Sequence, residues 1–111
     1  MLSITIGGRK DQYSGRGVNG PIEDLLFPIQ HGILWYAGMS VLPPFLIYQA
    51  DKTSDELFEK YKQQYHERLS NLKAEKPIPF RYQNNGDYNH RQQLKEKFVN
   101  GERSFSRHIE K

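Results

Sequence analysis

The order of elements written in this chain predicts an α/β fold built on parallel strands. Three observations carry that expectation. Two short runs rich in β-branched and aromatic residues, 2–6 and 45–48, read as strands. Each is followed by a stretch whose apolar residues recur at helical spacing. The resulting order of strand, long loop, helix, strand, helix and tail is the alternation that builds layered sheets with parallel strands.

The first strand is Leu2-Ser3-Ile4-Thr5-Ile6, and Gly7-Gly8 stops it. Residues 9–20 form a loop rich in Gly, Ser, Arg, Lys and Asp, and with Gly7 and Gly8 this region holds five of the nine glycines. Asn19-Gly20-Pro21 reads as a helix entry, because Asn can cap and Pro lacks an N–H that would have no partner in the first turn. Leu25, Ile29, Gly32, Ile33 and Tyr36 continue at helical spacing. Pro28 interrupts them, so the helix either kinks there or gives way to a second one. Gly38 is the expected stop. In the second strand region, 41–48, Pro43 and Pro44 cannot sit inside a hydrogen-bonded ladder, so the paired part is expected at Phe45 to Tyr48.

The clearest helix follows. Thr53 and Glu56 have capping-box spacing, and Phe58, Tyr61, Tyr65, Leu69 and Leu72 fall on one face, read as core, with the helix running to about Lys73. From Pro77 onward the periodicity fades. A polar turn is expected at 82–87, a short helix from about Asn89 to Val99, and otherwise a tail that wraps the fold or moves freely. The division is therefore 1–76, the α/β part, and 77–111, the tail. No internal repeat is present. Two strands are too few for a stable parallel sheet, which needs neighbours and helices on both faces, so part of the domain is expected to be missing.

Composition narrows the function. The 111 residues suffice for one modest domain. With no cysteine, a disulfide framework, a thiolate zinc site and a cysteine nucleophile are excluded, in keeping with a reducing, cytoplasmic compartment. Sixteen Lys and Arg against thirteen Asp and Glu give a net charge of +3, a mild excess read as a solvated surface. The basic residues form no stripe interleaved with aromatics, so nucleic acid is not an expected partner. The chain opens with no secretory signal, and its longest apolar run, broken by Pro43 and Pro44, is too short for a membrane span. His31, His66, His90 and His108 show no mutual ligand spacing, so no metal site is expected. No nucleophile elbow or Ser/His/Asp order occurs.

In an open parallel sheet ligands bind at the carboxyl ends of strands, where Gly7-Gly8 lies. Glycine there lets the backbone approach a flat ring, yet a strand followed by Gly-Gly is also an ordinary turn, and both readings stand.

The stretch Ser3-Ile4-Thr5-Ile6-Gly7-Gly8, then Tyr13-Ser14, then Gly17-Val18-Asn19-Gly20, resembles the flavin-ring loop of the flavodoxin-like NAD(P)H:quinone oxidoreductase family. The similarity continues without a gap through residues 27–38, Phe-Pro-Ile-Gln-His-Gly-Ile-Leu-Trp-Tyr-Ala-Gly, and Val41-Leu42-Pro43-Pro44-Phe45. Glu75-Lys76-Pro77-Ile78-Pro79-Phe80 is similar to the start of the longer tail of the mammalian branch. The resemblance covers roughly residues 2–80 and implies the C-terminal portion of a flavodoxin-like parallel sheet.

It implies roles as well. Gly7 and Gly8 would lie beside the isoalloxazine ring. The Tyr13 hydroxyl would sit near the flavin carbonyl and N1, where negative charge grows as hydride arrives. The family's second polar group in this loop is usually a histidine. Here it is Asn19, which can donate a hydrogen bond but takes up no proton near neutral pH, so a histidine relay is in doubt while hydride transfer is not. Gln12 and Tyr36 would line the substrate pocket, Tyr36 reaching over the partner's pocket in a dimer or, equally, serving as a core aromatic. The implied cofactor is FAD, with FMN second, NAD(P)H is the co-substrate and a quinone the acceptor. A homodimer is expected from the family and from the apolar helix from Ile22 to Tyr36, or else a complementing N-terminal half; the phosphate loop that follows the family's first strand is not found here, so the chain alone is expected to be inactive. The competing reading is a non-catalytic truncated remnant that serves as an oligomerisation or interaction module.

Overall fold

The computed structural model describes residues 1–84, 86–99, 101 and 104–110. The chain divides into two compact units, one made of Met1–Ile22 and Val41–Pro77, the other of Glu23–Ser40 and Ile78–Lys111.

In the first unit β1 (Ser3–Thr5) and β2 (Phe45–Ile47) pair in parallel, with Ser3 opposite Phe45, Ile4 opposite Leu46 and Thr5 opposite Ile47. The ladder begins directly after the two prolines, where an N–H first becomes available for pairing. The Phe45 amide donates to the Leu2 carbonyl at 2.8 Å and Ile6 to Ile47 at 2.8 Å. The carbonyls of Pro43 and Pro44 turn instead to the Arg68 guanidinium, at 2.7 and 3.2 Å, and the same Nη2 contacts Glu75 at 2.5 Å. One side chain thus ties the entry to β2 to the segment beyond the last helix.

That helix is α2 (Asp55–Ser70). Its cap is Ser54 rather than Thr53: the Ser54 Oγ accepts from the Leu57 amide at 3.2 Å. Thr53 is already engaged in closing the preceding 3-10 turn (Ala50–Lys52), its amide donating to Ala50. The helix also ends earlier than the periodicity predicts. Asn71 Nδ2 donates to the Glu67 carbonyl at 3.0 Å, and a 3-10 turn, Leu72–Ala74, takes over.

The apolar face of α2 is not core. Phe58 is 57% exposed and Leu69 45%, while Tyr61 and Leu72 are half-buried. A helix of this length extends about 24 Å, and among the described residues two strands lie beneath it. They leave a largely apolar groove of about 300 Å³ between Ile4, Phe45 and Ile47 on one side and Phe58, Tyr61 and Tyr65 on the other. Tyr65 leans into it, its ring 5.1 Å from Phe45 and its hydroxyl accepting from Ser3 at 3.2 Å.

The second unit contains α1 (Ile22–Ile29) almost entirely, continued by a π-helical stretch, Gln30–Trp35. Pro28 offers no N–H to the α ladder, and the hydrogen bonds widen just past it: Tyr36 donates to His31, five residues back. Gly38, with φ at 94°, then ends the helix in the left-handed conformation expected of a C-terminal glycine.

The described residues between 78 and 110 fold against this helix instead of trailing away. Phe80 and Tyr88 are buried, Phe80 pairs with Ile109 and Tyr88 with Leu94 as isolated antiparallel bridges, and Arg81 holds Asp87 at 3.2 Å and the Arg107 carbonyl at 2.7 Å. No α-helix forms over 89–99. The Asn89 side chain accepts from the amides of Arg91 and Gln93, competing with the helical pattern, and only a 3-10 turn, Glu96–Phe98, appears. Asn85, within the expected 82–87 turn, lies outside the described residues, as do Asn100, Glu102, Arg103 and Lys111 of the tail.

Candidate functional site

The carboxyl end of β1 opens into a loop that closes on itself. A 3-10 turn, Lys10–Tyr13, follows the glycine pair. Gln12 is its centre: the side-chain oxygen accepts from the Arg9 amide at 2.7 Å, the backbone amide donates to the Arg9 carbonyl at 3.1 Å, and the backbone carbonyl accepts from the Asn19 amide at 2.9 Å. The last of these bonds brings Asn19 beside Gln12 across the intervening residues. Gly17 makes the closure possible, because a Cβ there would run into the backbone carbonyls of Gln12 and Asp11. Ser14 completes the turn with a hydroxyl donated to the Asp11 carbonyl at 2.8 Å.

Gly8 and Tyr13 are packed against each other. A Cβ on Gly8 would stand 3.0 Å from Cε2 of Tyr13 and 2.8 Å from Oε1 of Gln12, so the Tyr13 ring lies over the glycine backbone. The Tyr13 ring also neighbours Tyr48, centroids 6.0 Å apart and tilted 47°. Gly7 is different, with open space where its Cβ would be. Among the described residues the N–H groups of Gly7 and Gly8 have no intramolecular partner. An open glycine backbone presenting two unused donors beside a tyrosine hydroxyl suits a flat, acceptor-bearing ring such as a flavin, so the residues present fit that group.

Of the six residues singled out in the sequence, Gly7, Gly8, Gln12, Tyr13 and Asn19 are gathered in this one loop. Tyr36 belongs to the second unit, at the end of the π-helical stretch, and is 70% exposed.

The second unit carries an arrangement that was not anticipated. Phe105, Phe27, His31 and Trp35 form a continuous stack, successive centroids 4.4 Å apart and planes within 15°. Phe80 meets His31 edge-on at 5.1 Å, and His108 lies 5.7 Å from His31. Burial, then the nearby His108, lowers the His31 pKa to about 4. His108 is lowered by burial, then by Arg107 and Arg81, and its Nδ1 shares a hydrogen bond of 2.8 Å with the Tyr88 hydroxyl. Burial raises the Tyr88 pKa, Arg81 opposing and Asp87 adding to the shift. The signal for this stack was present in the spacing of Phe27, His31 and Trp35, each four residues from the next. Among the described residues no cluster of His, Cys, Asp or Glu could hold a metal, and no helix is long and apolar enough to cross a membrane.

A family model described as a flavodoxin-like fold matches residues 1–69. A ribosyldihydronicotinamide dehydrogenase-like protein of Penicillium crustosum is 50% identical over 88 residues, 79% of this chain and 32% of that protein. The NAD(P)H dehydrogenase [quinone] 1 of Rattus norvegicus is 38% identical over 80 residues, 72% of this chain and 29% of its own length. A Klebsiella pneumoniae crystal structure assigned as a quinone reductase superposes with a TM-score of 0.94 at 45% identity, covering 99% of this chain and 43% of that one. The chain thus spans about a third of the length of the curated relatives it matches.

Proposed function

The chain belongs to the flavodoxin-like fold family, and on that premise we propose that it forms one wall of the active site of an NAD(P)H:quinone oxidoreductase. The observation that carries this reading is the closed loop at the end of β1, which sets the free Gly7 and Gly8 N–H groups, the Tyr13 hydroxyl and Asn19 together. Gly7 and Gly8 would hold the ring of a flavin, FAD ahead of FMN because the chain resembles the long-tailed branch. Bound flavin supplies a two-electron carrier between NAD(P)H and a quinone.

The chain's own residues act on that exchange electrostatically. The Tyr13 hydroxyl would donate a hydrogen bond toward the ring edge where negative charge develops, its ring already packed against Gly8 and beside Tyr48 and therefore needing little reorganisation. Asn19 adds a second polar group without a titratable proton, so protons come from solvent or substrate rather than from this position. Gln12 keeps the loop closed and borders the pocket, and Tyr36 would reach over the pocket of a partner subunit in a dimer. The half-open face of α2 favours assembly with a second copy or with a complementing N-terminal half. A cytoplasmic setting accords with the absence of cysteine.

The first test is the visible absorption spectrum of the purified chain after incubation with FAD or FMN and desalting. Retained flavin supports the reading and leads directly to an NAD(P)H–quinone assay. A colourless protein counts against a usable pocket in this chain alone and favours the interaction module, for which the exposed Phe58 and Leu69 are the supporting observation. In a flavin-loaded assembly, Tyr13→Phe should slow flavin reduction by about 100- to 1000-fold, with flavin retention unchanged. Lost retention at an unchanged reduction rate would show that Tyr13 binds and does not assist.

A further inference from the structure

The chain that leaves β2 bends back onto the glycine pair. Beyond the ladder, the Gln49 amide donates to the Gly8 carbonyl at 3.0 Å and the Ala50 amide to the Ile6 carbonyl at 3.0 Å. Gly7 is therefore bracketed: the carbonyls before and after it are held by the β2 side, while among the described residues its own N–H and that of Gly8 have no partner. Consecutive amides reach back in this way because Gln49 is left-handed, φ 51° and ψ 43°, a conformation that glycine and asparagine adopt readily and glutamine does not. Tyr48, one residue earlier, packs beside the Tyr13 ring, whose Cε2 also lies against Gly8. Two neighbouring residues thus hold both halves of the loop, one through the backbone and one through a ring.

A non-glycine residue held left-handed where a glycine would sit without strain points to a geometry retained for its effect on the neighbouring turn. We propose that Tyr48 and Gln49 are positioning residues of this site, Gln49 holding the Gly8 carbonyl so that the Gly7 and Gly8 N–H groups face outward and Tyr48 holding the Tyr13 ring. The role rests on the reading of the loop as the flavin edge.

The test compares Gln49→Val, whose β-branched side chain opposes the left-handed region, with Gln49→Gly, which accepts it. In the unliganded full chain, amide hydrogen exchange followed by NMR should show Gln49 and Ala50 protected in the parent and in Q49G, and exchanging at least about tenfold faster in Q49V. Flavin titration of the same three proteins should show Q49G within about twofold of the parent and Q49V weaker by about tenfold, with its visible bands displaced toward those of free flavin. Tyr48→Leu should shift the bands while leaving the Gln49 and Ala50 amides protected.

The outcomes separate the two ideas. A parent chain that shows the exchange pattern but takes up no flavin counts against a usable flavin pocket in this chain alone, and overturns the positioning role there, leaving the corner as part of the fold. A parent that binds flavin and a Q49V that loses amide protection yet binds equally, with unmoved bands, overturns the positioning role alone. Equal protection in Q49V and the parent removes the left-handed corner itself as the cause.

Discussion

The loop over residues 7–19 is held by backbone hydrogen bonds and the side chains of Gln12 and Ser14, whereas the second unit is held by ring faces. In the loop, Gln12 receives Asn19, binds Arg9 twice, and is approached closely by Gly17. In the second unit, Phe105, Phe27, His31 and Trp35 stack at 4.4 Å with Phe80 against their edge. The loop leaves donors unused and a glycine face open, which a binding site requires. The stack consumes its surfaces on itself and makes an imidazole part of a hydrophobic column, so its stability is tied to a proton. The two regions should therefore fail in different ways, one to added atoms and the other to added charge.

The largest difference is expected from Gly17→Ala. The new methyl would overlap the carbonyls of Gln12 and Asp11, backbone atoms that cannot step aside as the end of a side chain can. Either the Asn19–Gln12 hydrogen bond breaks or the turn reopens, at a cost of about 3 kcal/mol. Urea denaturation of the purified chain measures it, and flavin uptake should vanish with it. A loss below about 0.5 kcal/mol, within the range of neutral surface changes, would show that the loop opens freely and that its closure does not organise the site.

The stack should respond to acid. His31 has a folded pKa of about 4 against an ordinary 6.5, lowered by burial and by His108, which itself faces Arg107 and Arg81. Between those two values the unfolded chain binds more protons than the folded one. The stabilisation carried by the neutral ring is thus complete above pH 6.5, drains as the pH falls, and is gone near pH 4. Because the imidazole is only partly buried, solvent screening limits the effect to about 1 kcal/mol. Urea midpoints taken between neutral and mildly acid pH should fall accordingly. His31→Phe, which retains a ring for stacking, should flatten that dependence. An unchanged slope in the variant would assign the acid sensitivity to another group and remove the contrast between the two regions.

What could be read in the sequence follows the same divide. Pro43 and Pro44 located the start of the β2 ladder to the residue, because a missing N–H is a local fact. Gly38 marked the helix end for an equally local reason, its positive φ. The loop residues were recognised through their resemblance to a family, since nothing in Gly7-Gly8 alone separates a ring seat from a turn. The fold of 78–110 was not readable: its anchors, Phe80, Tyr88 and His108, meet rings far away in the sequence, and periodicity carries no trace of such contacts. The α2 stripe misled in the opposite sense, since Phe58 and Leu69 have the pattern of a core face and only the number of strands beneath them decides whether it is covered. Gln49 gave no signal at all, because a left-handed residue is normally marked by Gly or Asn.

The smallest expected change in stability is also the sharpest test of the comparison. At Gly7 a methyl meets nothing within 4 Å, and the residue is not among those with positive φ. Gly7→Ala should therefore leave the loop intact and, by restricting the unfolded chain, change stability by no more than about 0.5 kcal/mol in either direction. The methyl would nonetheless stand on the open face where a ring is proposed to lie, and it should weaken flavin uptake by about tenfold or more. A variant as stable as the parent, with Gln49 and Ala50 amides still protected and its flavin uptake lost, would show that the face is kept open for a ligand and not for folding. Undiminished uptake in that variant would move the ring seat away from Gly7, and would leave the loop as a turn whose glycines serve only its closure.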